Sequence, residues 1–290
     1  MLYILLGAWG GEIVGQNGMP FDTQSYSRFK YGDGSIARLY AFGLAEVLAQ
    51  TRPELIYGNE QVVITSSAFK YVPTASHAIA TAFQDAISYL RYTQGLPASD
   101  NIKIHRAHVE EGDYGTRSLE EREVIMRRNG IRIDGDYIKG KHLLVIDDVI
   151  ITGSHERKVE QIIDSLGLLS VQFLYALQMD AEEAKADPTI EDRLNHSAVR
   201  TLENLAQIIE TRNFLINARV CKFVLSQKEP AELSLFLQSA NNEFLYSLYV
   251  SAIGDGYVYM EGYQANTKLI EKEMMARGLI KDGKLQPPSN

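Results

Sequence analysis

The chain has 290 residues, 29 basic against 37 acidic, for a formal net charge of -8, and this acidic balance argues against a nucleic-acid or anionic-membrane footprint, which needs a basic face. The length exceeds that of one α/β core and leaves room for flanking elements. A single cysteine, Cys221, rules out a disulfide framework within the chain, and the apolar run at 2–6 lacks a basic flank and is too short to cross a bilayer, so a cytoplasmic protein is expected.

In chain order, residues 1–58 open on an apolar strand and a glycine-rich stretch with Gly7, Gly10 and Gly11, then reach Tyr31-Gly32-Asp33-Gly34. No Lys-Ser or Lys-Thr follows these glycines, so they read as turns around an edge strand and not as a phosphate loop. A helix is expected over 35–50, where Ile36, Leu39, Tyr40, Leu44, Val47 and Leu48 recur at helical spacing. Residues 59–180 alternate between strands and helices, the pattern of a parallel sheet covered on both faces. Strands are expected at 62–65, 102–108, 142–146 and 170–177. After the first of them, Ala75, Ala78, Ile79, Ala82, Phe83, Ala86, Ile87 and Leu90 form one apolar helical stripe. A long polar segment at 110–136 has the dimensions of a lid or binding loop. Val159, Ile162, Ile163 and Leu166 then turn inward on a helix that Gly167 ends. Residues 181–290 read as mostly helical. Thr201 caps a helix carrying Leu202, Leu205, Ile208 and Ile209, Cys221 packs as a small apolar residue, and further helices are expected over 231–251 and 266–277. The aromatic stretch of Tyr257, Tyr259 and Tyr263 reads as core or interface packing. The fold class is therefore α/β, a doubly wound mainly parallel sheet in 59–180, with an N-terminal extension (1–58) and a helical C-terminal region (181–290).

Two loops carry chemistry. Leu143 to Ile146 form an apolar run that ends on Asp147 and Asp148, and a Thr152-Gly153-Ser154 turn precedes the charged His155 and Glu156. Such a turn presents backbone N–H groups at a helix start, an anion site. Taken alone, an acid pair after an apolar run can equally cap a sheet edge or belong to a receiver domain. The second loop, Ser67-Ala68-Phe69-Lys70-Tyr71, follows the strand at 62–65 and precedes a helix, which favours an anion-binding Lys70 over a solvated one. Both loops are spaced to meet at the carboxyl edge of one sheet.

The run 145–154 resembles the phosphoribosyl pyrophosphate loop of type I phosphoribosyltransferases, departing from it at Ile151, where Thr is frequent, and at His155, where Thr or Ser usually closes the loop. The 67–71 segment resembles the pyrophosphate loop of orotate-type members, with Phe69 as the aromatic before Lys70 and Pro73 after it. The resemblance implies that Asp147 and Asp148 hold the ribose hydroxyls and that Val149, Ile150, Ile151, Thr152, Gly153, Ser154 and His155 cradle the 5′-phosphate. Lys70 counters the departing pyrophosphate, with Mg2+ carried by the ligand near the acid pair. The 110–136 segment takes the place of the family's flexible loop, with Arg106, Arg117 and Arg122 as its basic residues, unless they are plain surface arginines. The implied activity is transfer of phosphoribose from phosphoribosyl pyrophosphate to a small nitrogenous acceptor, or the reverse; the other class open to the chain is a regulatory protein that binds phosphoribosyl ligands without catalysis. A homodimer without nucleic-acid or membrane partners is expected, and either the N-terminal region or the helical tail supplies the hood over the acceptor. The stretches 28–34, 66–75 and 147–156, with Asn217-Ala218-Arg219-Val220-Cys221, narrow the resemblance to the phosphoribosyltransferases of bacterial tellurium-resistance gene clusters, a group linked to nucleotide-like biosynthesis.

Overall fold

A computed structural model describes residues 3–9, 14–15, 22–107, 109, 130–150, 154–179 and 189–288. Its central sheet contains β1 (Tyr3–Trp9), β2 (Val14–Gly15), β3 (Val62–Ser66) and β4 (Asp100–Asn101). A short ribbon of β5 (His105–Arg106) with β6 (Ile131–Arg132) precedes the two long strands β7 (His142–Ile150) and β8 (Ser170–Met179). The sheet order is β2-β1-β8-β7-β3-β4, with every pairing parallel except β1 with β2. The N-terminal strand thus belongs to the same sheet as the two loop-bearing strands, with β2 outside it at the edge.

Continuous apolar runs make β3 and the start of β7 buried on both faces, as parallel strands between helical layers must be. Strand alternation divides the core. Val62, Ile64, Leu144 and Ile146 face a layer built from α1 (Thr23–Lys30), α2 (Gly34–Thr51), α3 (Pro53–Tyr57), α4 (Ala75–Tyr92) and the later α7 (Ile190–Asn195). Val63, Leu143 and Val145 face α5 (Gly135–Ile138) and α6 (Ser154–Ile163). Helices on both faces make the sheet doubly wound. Gly167, at φ +68°, follows the turn after α6 at the expected stop.

The tail packs a separate apolar cluster from α8 (Leu202–Ile209), α9 (Ala218–Leu225), α10 (Pro230–Ser239), α11 (Asn242–Asp255) and α12 (Glu261–Ala276), and Tyr31 and Val72 from the sheet-bearing part belong to that same cluster. Buried Cys221 sits inside it, its thiol pushed up to about 12 by burial. Tyr257 and Tyr263 are core residues, whereas Tyr259 is exposed.

Two expected elements differ. The single strand over 102–108 is replaced by β4 in the main sheet and β5 in the side ribbon, because residues 104–106 turn to pair with the Lys70 loop: Phe69 N donates to Ile104 O (3.2 Å) and Arg106 N to Phe69 O (3.1 Å). The single helix over 231–251 is two helices. Asn241 ends the continuity by accepting the Phe244 N–H (2.8 Å) as an N-cap, and Arg277 donates to the carbonyls of Leu237, Gln238 and Ala240, satisfying groups that the end of α10 leaves open. The last long helix starts at Glu261, five residues before the expected 266.

Candidate functional site

The acid pair lies where one strand outlasts its neighbour. β3 stops at Ser66, opposite Ile146, while β7 continues beside β8 as far as Ile150. Asp147 and Asp148 are therefore the first β7 residues without a β3 partner, at the mouth of a crevice on the carboxyl edge. Ligands of open α/β sheets bind in such a crevice.

Period-two alternation then sends the two carboxylates to opposite faces. Half-buried Asp147 turns toward the α6 side, where Ser67 Oγ donates to its Oδ1 at 2.7 Å and the Asp148 N–H at 2.9 Å. Asp148 turns toward α1 and is buried. Tyr26 donates its hydroxyl to Asp148 Oδ2 (3.1 Å), and Lys30, one helical turn on, forms an ion pair with the same oxygen. Burial pushes the Asp148 carboxyl up, against the pull of the Lys30 ammonium, and Asp147 adds to the rise; burial also lifts the Tyr26 phenol well above its usual range.

The Lys70 loop is fixed from three directions. Asp255 Oδ1, from the last residue of α11, accepts the N–H groups of Tyr71 (2.8 Å) and Val72 (3.2 Å), and Lys70 Nζ donates to the Asp255 carbonyl (3.4 Å). Lys103 donates to the Lys70 carbonyl and places its ammonium 4.3 Å from the Phe69 ring centre. His77, on the first turn of α4, shares a hydrogen bond with Ser66 Oγ (3.2 Å) and packs on Phe69 at 4.9 Å; burial lowers its imidazole.

Tyr71 rests against Gly254, where an added Cβ would overlap the ring at its inner carbons. Gly254→Ala is thus expected to lower stability by about 1–3 kcal/mol, the usual cost of forced overpacking. Urea unfolding checks this, and a variant as stable as wild type would mean the ring simply swings to solvent.

The structure brings Asp147 to Ser67, and so joins the two loops; it does not bring Asp148 to the same opening. Ala68 is buried, while Lys70 and Tyr71 are exposed. Arg106 lies beside Phe69 through its backbone bond. Val149 and Ile150 continue β7, and Ser154 and His155 open α6. Ile151, Thr152, Gly153, Arg117 and Arg122 lie outside the described residues. Three contributors escaped sequence reasoning. Tyr26 and Lys30 are four apart on α1, and a lysine following the apolar Tyr26 and Phe29 face was the available signal. Asp255 ends a helix, where the macrodipole disfavours an anion, so an outside donor was implied.

Three stretches distant in sequence converge beside the Lys70 loop. Asn217 caps α9 and donates to the Lys30 carbonyl (3.2 Å), Ala218 N donates to Pro73 O (2.9 Å), and Arg28 pairs with Asp33, the N-cap of α2. Gly32, at φ +95°, holds the turn between α1 and α2 so close to the Leu215 carbonyl that a side chain would collide with it.

A family model described as PRTase ComF-like matches residues 11–270. No curated protein matches the sequence. Among solved structures, a hypoxanthine phosphoribosyltransferase from Staphylococcus aureus is 13% identical with a TM-score of 0.33, the match covering 50% of this chain and 64% of that one. A hypoxanthine-guanine phosphoribosyltransferase from Bacillus anthracis is 14% identical with a TM-score of 0.31, covering 51% of this chain and 69% of that one. The chain spans a little under two thirds of the Staphylococcus aureus protein.

Proposed function

This chain belongs to the ComF-like family of phosphoribosyltransferases, and on that premise we propose that it binds phosphoribosyl pyrophosphate at the carboxyl edge of β3 and β7 and transfers phosphoribose to a small nitrogenous acceptor, or runs the reverse. The supporting observation is the bond from Ser67 to Asp147, which sets a carboxylate suited to sugar hydroxyls beside a loop carrying an exposed lysine. Breaking the bond between C1 and pyrophosphate passes through an oxocarbenium-like state, so the ribose must be held in line and the departing charge countered. Asp147 would accept a ribose hydroxyl and tolerate positive charge developing on the ring. Lys70, whose loop Asp255 and Lys103 hold in shape, would meet the pyrophosphate. Backbone N–H groups at 151–155 would hold the 5′-phosphate.

Mg2+ fits the donor chemistry, since it seeks oxygen ligands and Asp147 offers a carboxylate at the mouth of the crevice; bound with the ligand's pyrophosphate, the ion would neutralise leaving-group charge beside Asp147. Among the described residues no group of three or more His, Cys, Asp or Glu is placed to hold a metal by itself, and no helix is long and apolar enough to cross a membrane. The convergence of 28–34, the Lys70 loop and Asn217 also supports assignment to the phosphoribosyltransferases of tellurium-resistance clusters, with a cytoplasmic place of action and a role in nucleotide-like metabolism.

A second function, ligand sensing without transfer, is favoured by one feature: Lys30 already pairs with buried Asp148, which withdraws that carboxylate from the ribose. Titration calorimetry with phosphoribosyl pyrophosphate and Mg2+, followed by a screen of nitrogenous bases for pyrophosphate release, separates the two. Saturable binding with release establishes transfer, binding without release from any base establishes sensing, and no binding removes both.

A further inference from the structure

We infer that a cleft between α2, α4 and residues 215–217 is an effector site for a small apolar amino acid bound as its zwitterion, a second ligand beyond the one proposed for the Asp147 crevice. The cleft holds about 350 Å³, near the lower end of small-molecule sites. Its apolar lining comes from Phe29, Ala37, Ala78, Ala82, Leu215 and Ile216. Backbone hydrogen bonds tie the walls together: Gly34 N donates to Asn213 O (3.0 Å), Leu215 N to Gly32 O (2.9 Å) and Ala218 N to Pro73 O (2.9 Å). The hollow is therefore set by the path of the chain, and a guest need not order it.

The polar side chains of the cleft select the guest. Asp33 serves Arg28 and the Ser35 N–H, Asn217 caps α9 and donates to the Lys30 carbonyl, and His77 shares a bond with Ser66. Thr74 pairs with Ser76, and Thr81 donates to the His77 carbonyl. That leaves Arg38 and Asp85, exposed on different helices, and among the described residues neither has an ion-pair partner. A guest that satisfies both needs one anionic and one cationic group on an otherwise apolar body. An apolar α-amino acid has that constitution: its carboxylate meets Arg38 and its ammonium Asp85 at the rim, while its side chain fills the hollow. A nucleotide does not, since its ribose hydroxyls would face walls whose polar groups are already engaged.

Position gives the site its consequence. His77 lines the cleft and also reaches Ser66 Oγ (3.2 Å) and packs on Phe69 (4.9 Å). A guest against His77 thus bears on the residue that braces the Lys70 loop, and a guest whose affinity differs between two settings of that loop shifts it.

Calorimetry of L-phenylalanine and L-leucine against the full chain tests the site, with the deaminated acid and the decarboxylated amine of each as single-charge controls. Saturable binding is expected for at least one amino acid, with a dissociation constant of about 1 mM or lower. Its two controls should bind at least about tenfold more weakly, as should the amino acid itself to Arg38→Ala and to Asp85→Ala. Both side chains are exposed, so melting of the variants is expected to match wild type. In the same titration the amide resonances of Phe69, Lys70 and Tyr71 should move. No binding by either amino acid, controls that bind as tightly, or undiminished affinity in either variant overturns the site. Saturable binding that leaves those three resonances in place overturns its effector role. No arm of the experiment uses phosphoribosyl pyrophosphate, so failure here is distinct from failure of the transfer reaction.

Discussion

Lys30→Met is expected to lower the unfolding free energy by about 3 kcal/mol or more at neutral pH, measured by urea titration. The side chains of Lys30 and Asp148 are only 12% and 9% exposed, so removing the ammonium strands a carboxylate in a site that has already lost its water. The Tyr26 hydroxyl remains as a donor but supplies no charge. The pH dependence has a definite sign. Burial already raises the Asp148 carboxyl and Lys30 opposes that rise, so the variant's carboxyl is raised further. A carboxyl whose folded pKa lies above its unfolded value favours the fold below the unfolded pKa and loses that contribution as pH rises through the folded one. The deficit of Lys30→Met is therefore largest near neutrality and shrinks on acidification. Adding Asp148→Asn should recover much of the loss, because no uncompensated charge then remains. Asp148→Asn alone should be milder, since the long Lys30 stem can carry its charge toward solvent. A single-variant loss below about 1 kcal/mol would reduce the pair to an exposed salt bridge in energetic terms and sink this account of α1 docking.

Asp147→Asn should act on the ligand and leave the fold nearly unchanged. The amide oxygen can still accept from Ser67, which keeps the two loops joined, but the charged acceptor for a ribose hydroxyl is gone. Hydrogen bonds to charged groups contribute about 1.5–3 kcal/mol, so calorimetric affinity for phosphoribosyl pyrophosphate with Mg2+ is expected to fall about 10- to 100-fold. The melting temperature should stay near that of wild type. Equal affinity in the two proteins would remove Asp147 from the site.

The backbone of the fold was legible because local patterns decide it. β3, β7 and β8 are announced by apolar runs, and α2 and α4 by stripes at helical spacing; the three strands start where expected, and no limit differs by more than four residues. What was hidden depends on partners remote in the chain. Arg106 and Phe69 have no local reason to pair, yet their bond diverts the expected strand over 102–108 away from the sheet. The break at Asn241 is a local cap signal overshadowed by apolar residues on either side, and the Arg277 side chain that completes the end of α10 comes from beyond α12. At the site, the adjacency of the two acids was plain in sequence, but their assignment to opposite sheet faces follows only from knowing that β7 continues as a strand past them to Ile150. The docking of Lys30 on Asp148 joins positions 118 apart and carries no periodic signature.

Asp255 gives the tail a say in the loop it touches. Because one carboxylate serves two amides across the boundary between sheet and bundle, residues 70–72 and 254–256 form a single interlocked unit. A chimaera that exchanges helical tails between relatives must carry both halves of it together, or the transplanted bundle will grip a loop whose shape it was never matched to.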